Sequence, residues 1–502
     1  MKKLYITTPL YYVNDEPHIG HAYTTILADV INRYYQSIGY KTFMLTGTDE
    51  HGLKVQQAAI KNNVTPKQHV DDYVQRFKEI WEKLNIKYDY FIRTTDKNHI
   101  KNVQKVLQNL YDKGDIYIDE YEGLYSVSEE RFITEKEAEE GDFREIKKIK
   151  EKNYFFKMSK YQKKLISHIE NNKDFIKPET RKNEILGFLK KPLNDLCISR
   201  PKTRLEWGIE VPFDKDYVTY VWFDALLNYI NGVGWDQNNE EFNNWWPANY
   251  HLMGKDIITT HAVYWPTMLM ACDLELPKTL LAHGWWLTDE NKMSKSIGNV
   301  VKPLDLADEF GVDSLRYYLM RNMVLGQDAS FSRESFIKRY NSDLANDYGN
   351  VINRITILIQ KNFDSLCPEP GSYGEVENNI INFSNKVISE VENNMQQLKI
   401  HDALESILSL IREINKYLEI KQPWKLIKVD KSQKSEAATS LYVAAELLRI
   451  SSALLYPYMP EKANLTLASL SQTDINHNLE FGQLKHNVTI KSPGALFPRI
   501  EE

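Results

Sequence analysis

Leu4-Tyr5-Ile6-Thr7-Thr8-Pro9-Leu10-Tyr11-Tyr12-Val13-Asn14-Asp15-Glu16-Pro17-His18-Ile19-Gly20-His21 decides the fold of this chain. Leu4 to Leu10 reads as a short strand, and the run from Pro9 through Asn14 to Pro17 breaks it into a loop. Beyond Pro17, Ile19, Ile26, Leu27, Val30, Ile31 and Tyr34 recur at helical spacing until Gly39 supplies a stop, and Thr42 to Leu45 reads as a second strand. Strand, loop, helix and strand within about 45 residues make a βαβ unit, whose parallel sheet places ligands at the carboxyl ends of its strands.

Working outward, a second helix with Ile100, Val103, Val106, Leu107 and Leu110 ends near Gly114, and the composition then changes. Asp119 to Asp142 holds ten acidic and two basic residues, whereas Arg144 to Lys164 holds nine basic and two acidic. That pattern reads either as a self-neutralising surface insertion or as a module that contacts RNA. Sheet character returns at Tyr217 to Trp222, His251 to Met253 and Thr279 to His283. Beyond Pro303 amphipathic helices dominate, with Leu404, Ile407, Leu408, Ile411, Ile414 and Leu418 on one face. The expected architecture is α/β: a Rossmann-type doubly wound parallel sheet with an insertion, followed by an all-α helical bundle.

Composition bounds the function classes. The chain has 502 residues, 42% hydrophobic and 26% charged, which excludes disorder and fibrous architectures and leaves room for about three domains. Lys plus Arg is 63 and Asp plus Glu is 69, a net charge of −6, so any polyanion must meet a local basic patch. The longest uncharged apolar stretch, Ile257 to Cys272, is too short to span a bilayer and carries His261 and Pro266, so no membrane span is expected. The first residues lack the apolar core of a signal peptide, and the expected location is cytoplasmic. Cys197, Cys272 and Cys367 are too scattered for a disulfide framework or a four-cysteine zinc site.

Two motifs carry chemistry. His18-Ile19-Gly20-His21 opens the first helix, where backbone N–H groups and the positive end of the dipole favour phosphate. Taken alone, the two imidazoles read equally well as a metal pair or as surface histidines. Lys292-Met293-Ser294-Lys295-Ser296, followed by Gly298, would match by chance with a probability on the order of 10⁻³ or below. It reads as a basic clamp for a polyphosphate or, more plainly, as a solvated basic loop.

In this order on a βαβ framework, the two motifs resemble the signature pair of class I aminoacyl-tRNA synthetases. Thr7 to Asn14, Thr46-Gly47-Thr48-Asp49-Glu50-His51-Gly52, Tyr220-Val221-Trp222-Phe223-Asp224-Ala225 and Gly254-Lys255-Asp256-Ile257 are similar to methionyl-tRNA synthetases, and the likeness runs through Trp424 to Leu496-Phe497-Pro498-Arg499-Ile500. The resemblance implies two halves of a catalytic domain at 1–115 and 206–287, a connective insertion at 116–205, a signature-loop and stem-contact region at 288–342, and a helical anticodon-binding domain at 343–502.

It also implies a methionine pocket of Leu10, Tyr12, Asp49, Trp222, Ala225, Leu226, Tyr229, Ile257, His261 and Trp265. Asp49 would pair with the substrate ammonium, the aromatic rings would grip a thioether, and the Tyr12 hydroxyl and His261 imidazole would offer hydrogen bonds to sulfur. Without the family, Trp222, Tyr229 and Trp265 read as core aromatics. The implied ATP contacts are His18, Gly20, His21, Asp256, Lys292, Ser294, Lys295 and Ser296, with His18, His21, Lys292 and Lys295 catalytic. Asn346, Asn350 and Arg354 are spaced i, i+4, i+8, and Trp424 follows a helix end. The family places Asn350, Arg354 and Trp424 at the anticodon, where the residues alone read as a helix surface with a capping indole.

The implied activity is ATP-dependent conversion of L-methionine to methionyl-adenylate and pyrophosphate, then transfer to the 3′ end of tRNA(Met), initiator included, with Mg²⁺ accompanying ATP. One departure stands out: Ser126 and Glu129 occupy positions where many relatives carry the first zinc-binding cysteine pair, so no zinc is expected. The absence of an appended oligonucleotide-binding β-barrel favours a monomer. Rival readings are a valine, leucine or cysteine enzyme of the same class, a smaller nucleotidyltransferase, and a tRNA-binding relative without catalysis.

Overall fold

A strand buried on both faces needs apolar side chains in both directions, and Leu4, Tyr5 and Ile6 supply them. The computed structural model describes residues 2–13, 17–126, 131–133, 138–139, 146–288, 291–292, 301–429, 431–472 and 478–501. Lys3–Thr7 lies at the middle of a wholly parallel sheet ordered Tyr11–Tyr12, Lys41–Asp49, Lys3–Thr7, Tyr250–Gly254, Thr279–His283, Ile176–Lys177, with Tyr90–Arg93 also pairing to Lys41–Asp49. Leaving Lys3–Thr7, the chain builds Lys41–Asp49 on one side and Tyr250–Gly254 on the other, so the order reverses there. A crevice opens at such a switch point, between Thr8–Leu10 and Lys255–Ile257.

The edge strand Ile176–Lys177 comes from within the stretch read as insertion. Thr42–Leu45 proves to be the core of a longer strand, Lys41–Asp49. Gly47 permits that length: a Cβ there would lie 2.0 Å from the Ile92 carbonyl oxygen of the neighbouring strand.

Side-chain alternation sorts the sheet into two cores. Leu4, Ile6, Met44, Leu252 and Leu281 face one way, onto the helix Ile19–Ser37 and the C-terminal helices, in one continuous core. Tyr5, Leu45, Met253, Leu280 and Ala282 face the other way, onto Val221–Val233 and Trp265–Ala271. A buried ion cluster ties the first core to the bundle. Asp29 pairs with Arg33 at 2.7 Å and with Arg316 at 2.5 Å, and Arg316 also donates to the carbonyls of Pro457 and Tyr458.

Tyr217–Trp222, expected as a strand, divides. Asp214–Thr219 is extended and pairs antiparallel with Ser199–Pro201 and Glu210–Val211, away from the main sheet. From Val221 the chain turns into the helix Val221–Leu226, because Phe223 and Asp224 donate their N–H groups to the Tyr220 carbonyl and the Asp224 carboxylate is claimed by the core. Tertiary contacts here override the strand propensity of an aromatic run.

In the insertion, Ile116–Ser126 pairs with Ile146–Phe156, setting Glu120 opposite Lys152 and Glu122 opposite Lys150. Lys150 forms an ion pair with Glu120 at 3.3 Å. That pair links the described parts of the acidic and basic stretches across two antiparallel strands. Tyr154, Phe155 and Phe156 are buried beneath it; Glu129 and the side chain of Phe132 lie outside the described residues.

Beyond 303, Ala329–Phe331 is the one strand among the described residues, and the other regular elements are helices. Ser432–Leu455 is long and apolar enough to cross a membrane, but it is almost wholly enclosed by the bundle. Its buried Glu446 pairs with Arg449 and accepts N–H groups from Gly482, Gln483 and Leu484, which pins the C-terminal segment to the bundle.

Candidate functional site

The helix Ile19–Ser37 begins with a cap made of imidazoles. Gly20 N–H donates to His18 Nδ1 at 3.0 Å, and His18 N–H donates to His21 Nδ1 at 3.3 Å. The rings stack with centroids 3.8 Å apart. A Cβ on Gly20 would stand 2.9 Å from the His18 ring, so only glycine lets the ring fold back over the helix start. With both Nδ1 atoms accepting, each neutral ring carries its proton on Nε2. Two N–H donors thus stand side by side at a helix N-terminus, which is an arrangement for anionic oxygen. Burial, with His18 adding to it, holds His21 well below the usual imidazole range, so it remains neutral.

Val301, the first described residue after Lys295, accepts the Ile19 N–H at 3.2 Å at the same helix start. Lys292 lies in the strand Asn291–Lys292, paired with Trp286–Thr288. Ser294, Lys295 and Ser296 lie outside the described residues. Asp256 is exposed at the mouth of the crevice and accepts the Trp285 indole N–H at 3.1 Å.

The expected methionine-pocket residues come together beside that crevice. Asp49 ends its strand, in register with Tyr12. Tyr12 meets Trp222 edge to face at 6.4 Å between centroids, and Trp222 meets His261 likewise at 6.1 Å. Leu10, Tyr12, Trp222 and Ile257 are half-buried, whereas Ala225, Leu226, Tyr229, His261 and Trp265 are buried behind them.

One expected contact is corrected. His261 Nδ1 donates to the Ile257 carbonyl at 3.0 Å, and the Tyr229 hydroxyl donates to Nε2 at 2.7 Å. Both nitrogens are thereby engaged within the chain, so the neutral imidazole holds Tyr229 in place and has no N–H to offer to sulfur. Behind it, Trp265 N–H donates to His251 Nε2 at 3.3 Å, and His251 Nδ1 donates to Thr7 Oγ1 at 2.7 Å. Sequence reading gave His251 no part in this network, since it carries no signal separable from a core strand residue.

On the bundle, Asn350 donates to Asn415 Oδ1 at 3.2 Å, and Arg354 pairs with Glu419 at 2.7 Å while its guanidinium lies 4.7 Å from the centre of the Trp424 ring. Asn350, Arg354 and Trp424 therefore share one surface. Asn346 departs from the expected i, i+4 series: Tyr340–Gly349 is π-helical, and its wider turns re-phase Asn346 against Asn350.

Residues 4–141 and 140–356 match the family described as tRNA synthetases class I (M), and residues 367–502 match the anticodon binding domain of methionyl tRNA ligase. The chain belongs to the methionyl-tRNA synthetase family. It is 46% identical to the methionine–tRNA ligase of Clostridium tetani across all of this chain and 79% of that protein. It is 42% identical to that of Bacillus subtilis, across 99% and 78%. The Mycobacterium tuberculosis methionyl-tRNA synthetase in complex with methionyl-adenylate superposes with a TM-score of 0.95 at 40% identity, covering 99% of this chain and all of that one.

This synthetase pocket should be acid-labile. Burial lowers His261 from its ordinary value near 6.5 to about 4. Between those values the unfolded chain binds the extra proton and the folded chain does not, so stability falls as the pH falls and levels off below about 4. The loss from this group is about 3 kcal/mol. Urea midpoints measured at about pH 7 and about pH 4.5 should differ less in His261→Gln than in the unsubstituted protein; equal differences would remove His261 from this role.

Proposed function

We propose that the crevice joins L-methionine to ATP, forming methionyl-adenylate and releasing pyrophosphate, and that the chain then passes the methionyl group to the 3′ end of tRNA(Met). The observation that carries this reading is the placement of the stacked His18–His21 cap and the Tyr12–Trp222–His261 pocket on neighbouring strand ends at one switch point. Asp49 binds the substrate ammonium, Trp222 and Tyr12 hold the thioether, and Ala225, Leu226 and Tyr229 close the pocket. The methionine carboxylate attacks the α-phosphorus in line. Charge then grows on the transferring phosphoryl and on pyrophosphate, where the Nε2–H groups of His18 and His21 and the ammonium groups of Lys292 and Lys295 meet it. Mg²⁺ arrives with the triphosphate as part of the substrate. Asp256 holds the ribose, and Asn350, Arg354 and Trp424 read the anticodon. A cytoplasmic place of work fits these substrates.

ATP–pyrophosphate exchange with each amino acid in turn tests the reading. Methionine alone should drive exchange without tRNA. Exchange with valine, leucine or cysteine would move the chain to another branch of the class, and no exchange with any amino acid would favour a tRNA-binding relative without catalysis.

The connective insertion is proposed to hold together without zinc, through Tyr154, Phe155 and Phe156 and the pairing of Ile116–Ser126 with Ile146–Phe156. Purified protein should contain well under one zinc per chain and keep its exchange activity after chelation, once Mg²⁺ is restored. Tightly bound zinc at one per chain would overturn this.

A further inference from the structure

His51 and Asp224 lie in the two motifs richest in pocket residues, Thr46–Gly52 and Tyr220–Ala225, yet the proposed substrate contacts leave both without a role. In the fold they meet. His51 Nδ1 stands 2.6 Å from Asp224 Oδ2, and His99 Nε2, from the helix Lys97–Asp112, stands 2.6 Å from Asp224 Oδ1. All three side chains are buried, Asp224 completely.

The protons are placed by the surroundings. Asn102 donates to Asn231 Oδ1 at 3.0 Å, which leaves the Asn231 amide N–H to donate to His99 Nδ1 at 2.9 Å. His99 therefore carries its proton on Nε2 and donates it to Asp224. A carboxylate only accepts, so His51 donates from Nδ1 in the same way. Burial alone would raise the Asp224 carboxyl, but the two histidines outweigh it and hold the group below the usual carboxylate range. A charged acceptor saturated by two donors is among the stronger fixtures a core contains.

Two of the elements joined carry proposed methionine contacts. His51 lies two residues beyond Asp49, and Asp224 lies two residues beyond Trp222 and next to Ala225. Covalent geometry limits the span from ammonium to terminal methyl in methionine, so the separation of Asp49 from Trp222 decides which side-chain length fits. Apolar packing fills space without fixing direction, whereas a carboxylate with both oxygens engaged fixes three elements at one point.

We propose that Asp224 is a positioning residue that, through His51 and His99, sets the width of the methionine pocket and so its discrimination by side-chain length. The inference rests on the pocket assignment given under the proposed function.

The test uses paired substitutions in the full chain. His51→Leu and His99→Leu remove a donor, whereas His51→Asn and His99→Gln return an amide N–H near Nδ1 and Nε2 respectively. Exchange kinetics would be measured for methionine, for ATP and for ethionine, one methylene longer, alongside thermal melts. Both leucine variants should raise KM for methionine about 10-fold and narrow the preference for methionine over ethionine, with KM for ATP within about 2-fold. The amide variants should recover most of both losses. Equal rises for methionine and ATP, an unchanged ethionine ratio, or no recovery in the amide variants would overturn the proposal, as would failure of all four to fold, which would make the cluster a folding device only. Trp222→Ala separates the two readings. If it leaves KM for methionine unchanged, the pocket assignment falls and takes the clamp with it. If it raises KM while the leucine variants do not, the clamp alone falls.

Discussion

Lys295→Ala is expected to slow methionyl-adenylate formation by about 10² to 10⁴ while leaving methionine affinity nearly unchanged. The split follows from where charge appears. Bound ATP already carries its phosphate charges, but negative charge shifts toward the departing pyrophosphate only as the α-phosphorus is attacked, so a cation placed there strengthens its interaction in the transition state. The described residues on either side of Lys295 are the strand Asn291–Lys292 and Val301, whose carbonyl accepts the Ile19 N–H at the His18–His21 helix start. Single-turnover activation after rapid mixing of the variant with ATP and methionine, set beside equilibrium binding of methionine, reads both quantities. Normal single-turnover activation would take Lys295 out of the assigned role.

Trp424→Ala is expected to separate the two ends of the molecule. The half-buried indole sits beneath the Arg354 guanidinium, on the surface that also carries Asn350. Base–aromatic stacking is worth about 1 to 3 kcal/mol per base, or roughly 5-fold to 150-fold in affinity. Aminoacylation at limiting tRNA should fall by that factor, while exchange without tRNA stays close to that of the unsubstituted protein. A parallel fall in exchange, together with lost helicity or a lower melting temperature, would make Trp424 a capping residue of the bundle and remove the anticodon assignment.

Legibility differed among the sites for physical reasons. The His18–His21 cap was readable because a helix start is local: cap, glycine and dipole lie within four residues. The Arg354–Trp424 surface joins residues 70 positions apart, and only the family likeness linked them before the fold did. Trp222 was placed on the wrong element, since a strand-prone aromatic run says nothing of the buried histidines that draw Asp224 into a helical turn. The role of His261 changed for a similar reason. A histidine in a pocket motif suggests a donor, but the Ile257 carbonyl and the Tyr229 hydroxyl decide where its proton sits.

The sequence by itself determined the βαβ opening, the helical second half and, by likeness, the family. Each of these depends on periodicity, composition or short motifs, which are properties of neighbours along the chain. Only the tertiary structure decided that Ile176–Lys177 closes the edge of the main sheet, that Lys150 meets Glu120 across two antiparallel strands, and that Asp29 and Arg316 join the helix Ile19–Ser37 to the bundle. It also decided the meeting of His51, His99 and Asp224. Those outcomes depend on which distant donors and acceptors are buried together, and a buried polar group takes the partner that folding brings to it.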